Sequence, residues 1–287
     1  MKIGRGSCNG TFGELVQGIM EERPFLITFP IESLRSEARF VPDTATSRIR
    51  GVNSKMKAKK AGESLLQLFA IRGGGYLEIH SNIPSGKGMA SSSADIVATL
   101  RAIADSYSIP LTNEIISMIA AKVEPTDGVM YEDVVVYEYI SGQLIASFGT
   151  LPPFILVGID LGGMINTIEF NEVPKVYSQD DQQLFIKAID LAKRGFKEKN
   201  ITYIGEAATL SARVNQKLLP KPVFPLLDQL ANRYHGGIVV AHSGTVAGIL
   251  LDGNLPNSEL VVSHLIREMS LAYKGVPINL FLYESKE

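Results

Sequence analysis

The chain has no tryptophan and a single cysteine, Cys8, among 287 residues. One thiol can neither close an internal disulfide nor build a cysteine-rich zinc site, so both frameworks are excluded and a reducing compartment is expected. Charge of either sign is not in excess: 28 lysines and arginines stand against 30 aspartates and glutamates, for a formal net charge of −2. Without a basic field, no nucleic-acid partner is expected. No apolar run approaches the roughly 18 residues of a membrane span, and the N-terminus lacks the apolar core of a signal peptide. The expectation is a soluble, cytoplasmic protein with a small-molecule partner and no membrane contact.

What the chain does have is apolar residues, 45% of the total, enough for sizeable cores over a length of about two domains. Residues 2–42 predict short antiparallel strands, with one over residues 12–18 entered from a turn at residues 7–11. Residues 55–70 predict a helix with Leu65, Leu66 and Phe69 on one face, ended by Gly73-Gly74-Gly75. Clean alternation over residues 76–83 predicts a half-buried strand. Two helices follow, one carrying Ile96, Leu100, Ile103 and Tyr107, the other Ile115, Ile116, Ile119 and Val123. The second must stop at Pro125, because the residue before a proline is pushed out of the α region. A β-rich run over residues 134–146 and the pair Pro152-Pro153 put a domain boundary near residue 150. Beyond it the pattern predicts a strand at 154–160, helices at 180–199, 201–216 and 226–234, strands at 237–241 and 245–251, a helix at 257–273 and a strand at 278–283. That order suggests an α+β arrangement, with helices on one face of an antiparallel sheet.

Between the predicted strand and the first long helix lies Pro84-Ser85-Gly86-Lys87-Gly88-Met89-Ala90-Ser91-Ser92-Ser93-Ala94. Two glycines let the backbone approach an anion, and the helix behind them aims unpaired N–H groups at it, which makes a phosphate cradle. Ser91, Ser92 and Ser93 add hydroxyls that can cap the helix, meet a phosphate oxygen or hold Mg²⁺. No G-x-x-x-x-G-K-[ST] string occurs, so the cradle is not a P-loop. Gly86-x-Gly88 approaches the dinucleotide fingerprint, but Asp105, the acid at the right distance, falls within the predicted helix instead of at a strand end.

Read with its flanks, this stretch resembles the second motif of the GHMP kinases, the superfamily of galactokinase, homoserine kinase, mevalonate kinase and phosphomevalonate kinase, where P-x-x-x-G-L-G-S-S-A-A is usual. Met89, Ala90 and Ser93 are the departures, and Ala90 puts a Cβ where the second glycine stands. Residues 8–18 (Cys-Asn-Gly-Thr-Phe-Gly-Glu-Leu-Val-Gln-Gly) lie where the superfamily has its first motif. Residues 241–248 (Ala-His-Ser-Gly-Thr-Val-Ala-Gly) lie where it has its third. Within the superfamily, residues 10–18, residues 87–95 and the string Val123-Glu-Pro-Thr-Asp127 are similar to the L-threonine kinases of cobalamin synthesis. The resemblance implies a two-domain α+β fold, ribosomal protein S5 domain 2-like over residues 1–150 and ferredoxin-like over residues 151–287. It also implies phosphoryl transfer from MgATP to the hydroxyl of L-threonine, giving O-phospho-L-threonine for the cobalamin nucleotide loop. Homoserine or an isoprenoid precursor as acceptor, and a regulator that binds nucleotide without turnover, are the alternatives.

The same resemblance implies roles for individual residues. Pro84, Gly86, Lys87, Gly88, Met89, Ala90, Ser91, Ser92 and Ser93 would hold the nucleotide, and Ser92 with Glu124 would hold Mg²⁺. Glu124 ends a helix, where the dipole disfavours a carboxylate, so a compensating charge is expected. In relatives a catalytic aspartate follows that glutamate by about eleven residues. No acid here matches that spacing, and Asp127, three residues on, is the expected base, with Asp133 nine on. Glu14 would face the acceptor and pair with its α-ammonium, with Asn9 and Gln17 as lesser candidates. Ser243, Gly244 and Thr245 would offer donors to the acceptor carboxylate or the γ-phosphate. Structural alternatives accompany each: a solvated lysine for Lys87, a helix cap for Ser92, a turn former for Asp127, a brace for Glu14 and a hairpin turn for residues 243–245. His242 is expected to be a packed strand residue; His80, His235 and His264 show no metal-ligand spacing. Residues 52–66 are the expected adenine region.

Overall fold

The computed structural model describes residues 1–163 and 175–285. β1 (Gly4–Thr11) pairs antiparallel with β4 (Pro30–Asp43), β4 with β6 (Gly74–Ser81), and the two-residue β5 (Ile49–Arg50) joins β6 in parallel. Two helices pack with this sheet, α1 (Met56–Leu68) against α2 and α2 (Ser91–Tyr107) directly across β1 and β4. The fit is close because β1 presents glycines: a Cβ on Gly6 would lie 2.3 Å from the carbonyl oxygen of Ala98 in α2.

That contact corrects the reading of residues 7–11 as a turn. Their small side chains belong to a strand under a helix, and the chain breaks only at residues 12–15, where Gly13 takes φ +59°. The strand expected over residues 12–18 therefore begins at Val16, as β2 (Val16–Met20).

A second antiparallel sheet runs β2, β3 (Arg23–Thr28), β7 (Val134–Glu138), β8 (Gln143–Gly149). Leading into it, α3 (Asn113–Val123) is capped by the Thr112 side chain, which accepts from the Ile115 N–H. It ends as Pro125 demands, with Glu124 extended at φ −163° and ψ 160°.

The third sheet has the order β10 (Gly237–Val240), β11 (Val246–Asp252), β9 (Phe154–Asp160), β12 (Asn279–Ser285), all antiparallel. The helices of this half are α4 (Gln179–Glu198), opened by a Ser178/Asp181 capping box and packed on β2, then α5 (Ile201–Asn215), α6 (Phe224–Tyr234) and α7 (Ser258–Ala272). β9 is buried along its whole length. Ile155, Val157 and Ile159 face an apolar layer with Leu227, Leu230, Leu265 and Met269, while Phe154 and Leu156 face the main core. Period-2 alternation thus feeds two cores from one strand. The chain has the α+β architecture expected of it.

Phe12 joins the two halves. Its ring is fully buried against Gly158 of β9, where a Cβ would come within 2.4 Å of it, and lies 5.9 Å from the ring of Phe281 and 6.0 Å from that of Tyr283. The chain then crosses to β10, where Glu14 makes an isolated bridge with Val240. Glu14 is thereby delivered to the seam between the first and second halves of the sequence.

Among the described residues no helix is long and apolar enough to cross a membrane. Cys8 is buried, and burial pushes its thiol up to about 12, so it offers no thiolate nucleophile. The strand–helix contact is testable: Gly6→Ala forces β1 and α2 apart. Denaturant unfolding is expected to show a loss of about 1–3 kcal/mol or more.

Candidate active site

The cradle runs from the end of β6 to the start of α2, and its carbonyls are taken up by the rest of the protein. Lys87 O accepts from the N–H groups of Thr245 (3.0 Å) and Val246 (3.3 Å), Gly88 O from Gly13 N–H (3.0 Å), and Met89 O from Thr11 N–H (3.2 Å). Gly88, at φ +79°, has no room for a side chain, since its Cβ would lie 2.3 Å from that of Ala241. α2 has no side-chain cap, and its first backbone bond is Ala94 N–H to Ala90 O (2.9 Å). The N–H groups of Ser91, Ser92 and Ser93 precede that bond, which makes the helix start an anion site.

Ala90 adopts a left-handed conformation, φ 59° and ψ 27°, at the N-cap. An L-residue pays about 1–2 kcal/mol there, which glycine avoids. Ala90 is thus a strained position as well as a narrower one.

The three serines separate in function. Ser91 Oγ lies 3.3 Å from Ser85 Oγ, Ser92 Oγ donates to Glu124 Oε1, and Ser93 Oγ donates to Asp127 Oδ2 at 3.1 Å. Ser93 is buried and orients Asp127, whose own N–H donates back to Ser93 Oγ (3.3 Å), so a nucleotide contact from its side chain is not what the fold provides. The compensation expected for Glu124 comes from Lys57, at the start of α1, whose ammonium pairs with Oε2.

Asp127 sits in the floor of the cleft with its pKa raised to about 7. Burial is the main cause, the Glu14 charge adds to it, the Ser93 bond opposes it, and the Glu124 charge adds again. A carboxyl poised near neutrality is matched to proton transfer. Asp133 is exposed and accepts from Ser147 Oγ (2.8 Å), away from the cleft.

Glu14 is buried, and one of its oxygens, Oε2, accepts from both the main-chain N–H of His242 (2.8 Å) and its Nδ1 (3.0 Å). Ser243 lines the cleft beside it. Gly244 and Thr245 instead brace the cradle: a Cβ on Gly244 would lie 2.2 Å from Lys87 O, and the Thr245 N–H holds that oxygen. Lys221 supports the same turn by donating to Gly244 O (2.8 Å), and burial pushes its ammonium down to about 8.

Lys87 also departs from expectation in its side chain. Lys87 Nζ is ion-paired with Asp160 Oδ2 (2.7 Å) and donates to Gly163 O (2.6 Å), tying the cradle to β9. Burial works against the Asp160 charge, but Lys87 and the Gly162 N–H hold its pKa below the ordinary carboxylate value. Met89 is buried in the core and also lines the cleft. Lys57, Lys221 and Ser211 were not read from the sequence, and His242, expected as a packed strand residue, is packed in the turn after β10. The Glu124 dipole argument pointed to a partner such as Lys57.

Pro84, Gly86, Gly88, Met89, Ala90, Ser91, Ser92, Ser93, Glu124, Asp127, Glu14 and Ser243 thus line one cleft, together with Gln17 and Tyr139. Ser92 and Glu124 bring a hydroxyl and a carboxylate together, an oxygen-only donor pair that fits Mg²⁺. Among the described residues no cluster of three or more His, Cys, Asp or Glu forms a metal site, so such an ion would complete its shell with phosphate and water.

Two outcomes follow from this geometry. Ala90→Gly relieves the left-handed strain and is expected to raise unfolding stability by about 1 kcal/mol. For Asp127, the folded-state pKa of about 7 exceeds the ordinary carboxylate value of 3.8, so between the two the native chain holds a proton that the unfolded chain has released. The associated stability is present below the lower value and is lost as pH rises through the higher one. Asp127→Asn is therefore expected to gain on the parent from about pH 4 to about pH 7 and then level off. The plateau should be on the order of a few kcal/mol, read as melting temperature against pH.

The GHMP kinases N terminal domain family matches residues 56–136, from α1 through the cradle to β7. L-threonine kinase of Salmonella typhimurium (strain LT2) is 28% identical over 255 residues, 85% of this chain and 82% of the relative. L-threonine kinase of Citrobacter freundii is 28% identical over 254 residues, 86% of each. The crystal structure of homoserine kinase from Cytophaga hutchinsonii superposes with a TM-score of 0.75 at 14% identity, covering 100% of this chain and 95% of that one, and shows the shared fold. Residues 56–136, which hold the cradle, thus match a GHMP kinase N-terminal domain, and the likeness to the L-threonine kinases over 85–86% of the chain marks it as an ATP-dependent kinase.

Proposed function

We propose that the chain transfers the γ-phosphoryl group of ATP to the hydroxyl of L-threonine, giving O-phospho-L-threonine and ADP. The observation that carries this reading is the meeting of Asp127, Glu14 and the α2 N-terminus in one cleft. Phosphoryl transfer asks mainly for in-line positioning and for neutralisation of charge on the phosphate oxygens.

In this reading the N–H groups of Ser91 and Ser92, backed by the α2 dipole, hold the nucleotide phosphates. Ser92 Oγ and Glu124 would ligate Mg²⁺, which when bound neutralises phosphate charge and orients the γ-phosphoryl group. Asp127 Oδ accepts the proton of the threonine hydroxyl as its oxygen attacks phosphorus. Glu14 pairs with the α-ammonium of the amino acid. Ser243 would meet its carboxylate. Gln17 and Tyr139 bound the pocket around the side chain.

Support for threonine over other acceptors comes from two relatives named L-threonine kinase, each matched over most of its length. A buried carboxylate in the acceptor end also suits a substrate with an ammonium group better than mevalonate or a sugar. We place the reaction in the cytoplasm, where ATP is supplied, and take the cobalamin nucleotide loop as the destination of the product on the strength of the motif resemblance.

The test is ADP release with MgATP against L-threonine, L-serine, L-homoserine, mevalonate and galactose. Release is expected with L-threonine; release with homoserine or mevalonate instead would overturn the assignment. Asp127→Asn should keep ATP affinity and lower turnover by roughly 10²–10⁴-fold. Unchanged turnover would make Asp127 structural and the reaction base-free.

A further inference from the structure

His242 is fully enclosed, 4% exposed, at the turn after β10, and nothing in phosphoryl transfer requires it there. Its ring is held at both edges. Nδ1 faces two acceptors, Glu14 Oε2 at 3.0 Å and Val240 O at 3.2 Å, so it must carry the hydrogen. Nε2 lies 2.8 Å from Ser211 Oγ, and that hydroxyl is fixed in turn by the Gln17 N–H at 2.9 Å. The His242 backbone is anchored as well, its carbonyl accepting from Asn215 Nδ2 (3.2 Å) and its N–H donating to Glu14 Oε2 (2.8 Å).

Glu14 therefore receives two hydrogen bonds on one carboxylate oxygen from a single residue whose own ring has almost no freedom. A glutamate has three side-chain torsions, and in a cleft it would otherwise sample several of them at an entropic cost to any ligand that needs one. The two bonds to Oε2 fix the carboxylate plane of Glu14, which lines the cleft. The sequence positions involved, 14, 211 and 242, lie on three separate elements, so the arrangement exists only in the folded chain.

We infer that His242 is a positioning residue for acceptor recognition: through Nδ1 and its main-chain N–H it presents Glu14 to the ammonium group of an α-amino-acid substrate. This rests on the reading of Glu14 as the ammonium ligand. On that basis the chain selects amino-acid alcohols over uncharged alcohols by a preset carboxylate, not by the cradle, which deals only with the phosphates.

Two substitutions separate the edges of the ring. In His242→Asn the side-chain amide nitrogen takes the place of Nδ1 and keeps the donor to Glu14; in His242→Gln it reaches the Nε2 place and keeps only the Ser211 side. Glu14→Gln is measured beside them. Steady-state kinetics with L-threonine and MgATP, together with calorimetric binding of L-threonine, give the readout. His242→Gln is expected to raise KM and the dissociation constant for L-threonine roughly 10- to 100-fold, the range for a hydrogen bond to a charged group. The KM for ATP and kcat should stay within about threefold, and His242→Asn should recover most of the loss. Glu14→Gln should weaken L-threonine at least as much. If Glu14→Gln loses L-threonine but His242→Gln binds it normally, the role of His242 is refuted and that of Glu14 stands. If Glu14→Gln binds L-threonine normally, the Glu14 reading fails and the positioning role falls with it. Equal losses for His242→Asn and His242→Gln in every parameter, ATP included, would make the residue structural and overturn the proposal.

Discussion

The carbonyl oxygen of Lys87 is the point on which the site depends. It accepts from Thr245 on the turn between β10 and β11 and from Val246 at the start of β11, and the neighbouring Gly88 carbonyl accepts from Gly13 on the crossing between β1 and β2. These bonds press three glycine-containing segments, far apart in sequence, into backbone contact, and Gly88 and Gly244 leave no room for side chains at the junction. With the carbonyls turned inward, the first turn of α2 keeps its N–H groups for the cleft. The Lys87–Asp160 pair fastens the same loop from its other side, to the central strand of the third sheet. A lysine in a phosphate loop is naturally read as a phosphate ligand; here burial of its partner makes it a clamp.

Around this junction the electrostatics are arranged by pairing. Glu124 is answered by Lys57 and Ser92, and Glu14 by His242. Asp127 is bonded to Ser93, and its pKa is raised first by burial and then by the Glu14 and Glu124 charges beside it. Three acids in one cleft therefore have three different sets of neighbours.

The sequence made the elements of the second half legible almost residue by residue, because helical and strand periods were undisturbed there, and it marked the end of α3 through Pro125. It misplaced β1, where the small residues that resemble a turn are small because α2 lies on them. In the site, Ser92, Glu124 and Asp127 stood out because they sit in short contiguous strings. Lys57, Ser211 and His242 did not, since each matters through a partner tens to hundreds of positions away and burial cannot be seen in a string. Ala90 was visible as a departure from the motif, but its left-handed backbone, the physical cost of that departure, was not.

A kinase whose cleft holds a hydroxylated amino acid against the γ-phosphate must form one new phosphorus–oxygen bond for each ADP released. Phosphorus NMR of the protein with MgATP and L-threonine observes that bond directly. The account predicts a phosphomonoester resonance matching O-phospho-L-threonine that grows in step with ADP and is absent without L-threonine. Inorganic phosphate accumulating in place of that resonance, at a rate indifferent to L-threonine, would contradict it.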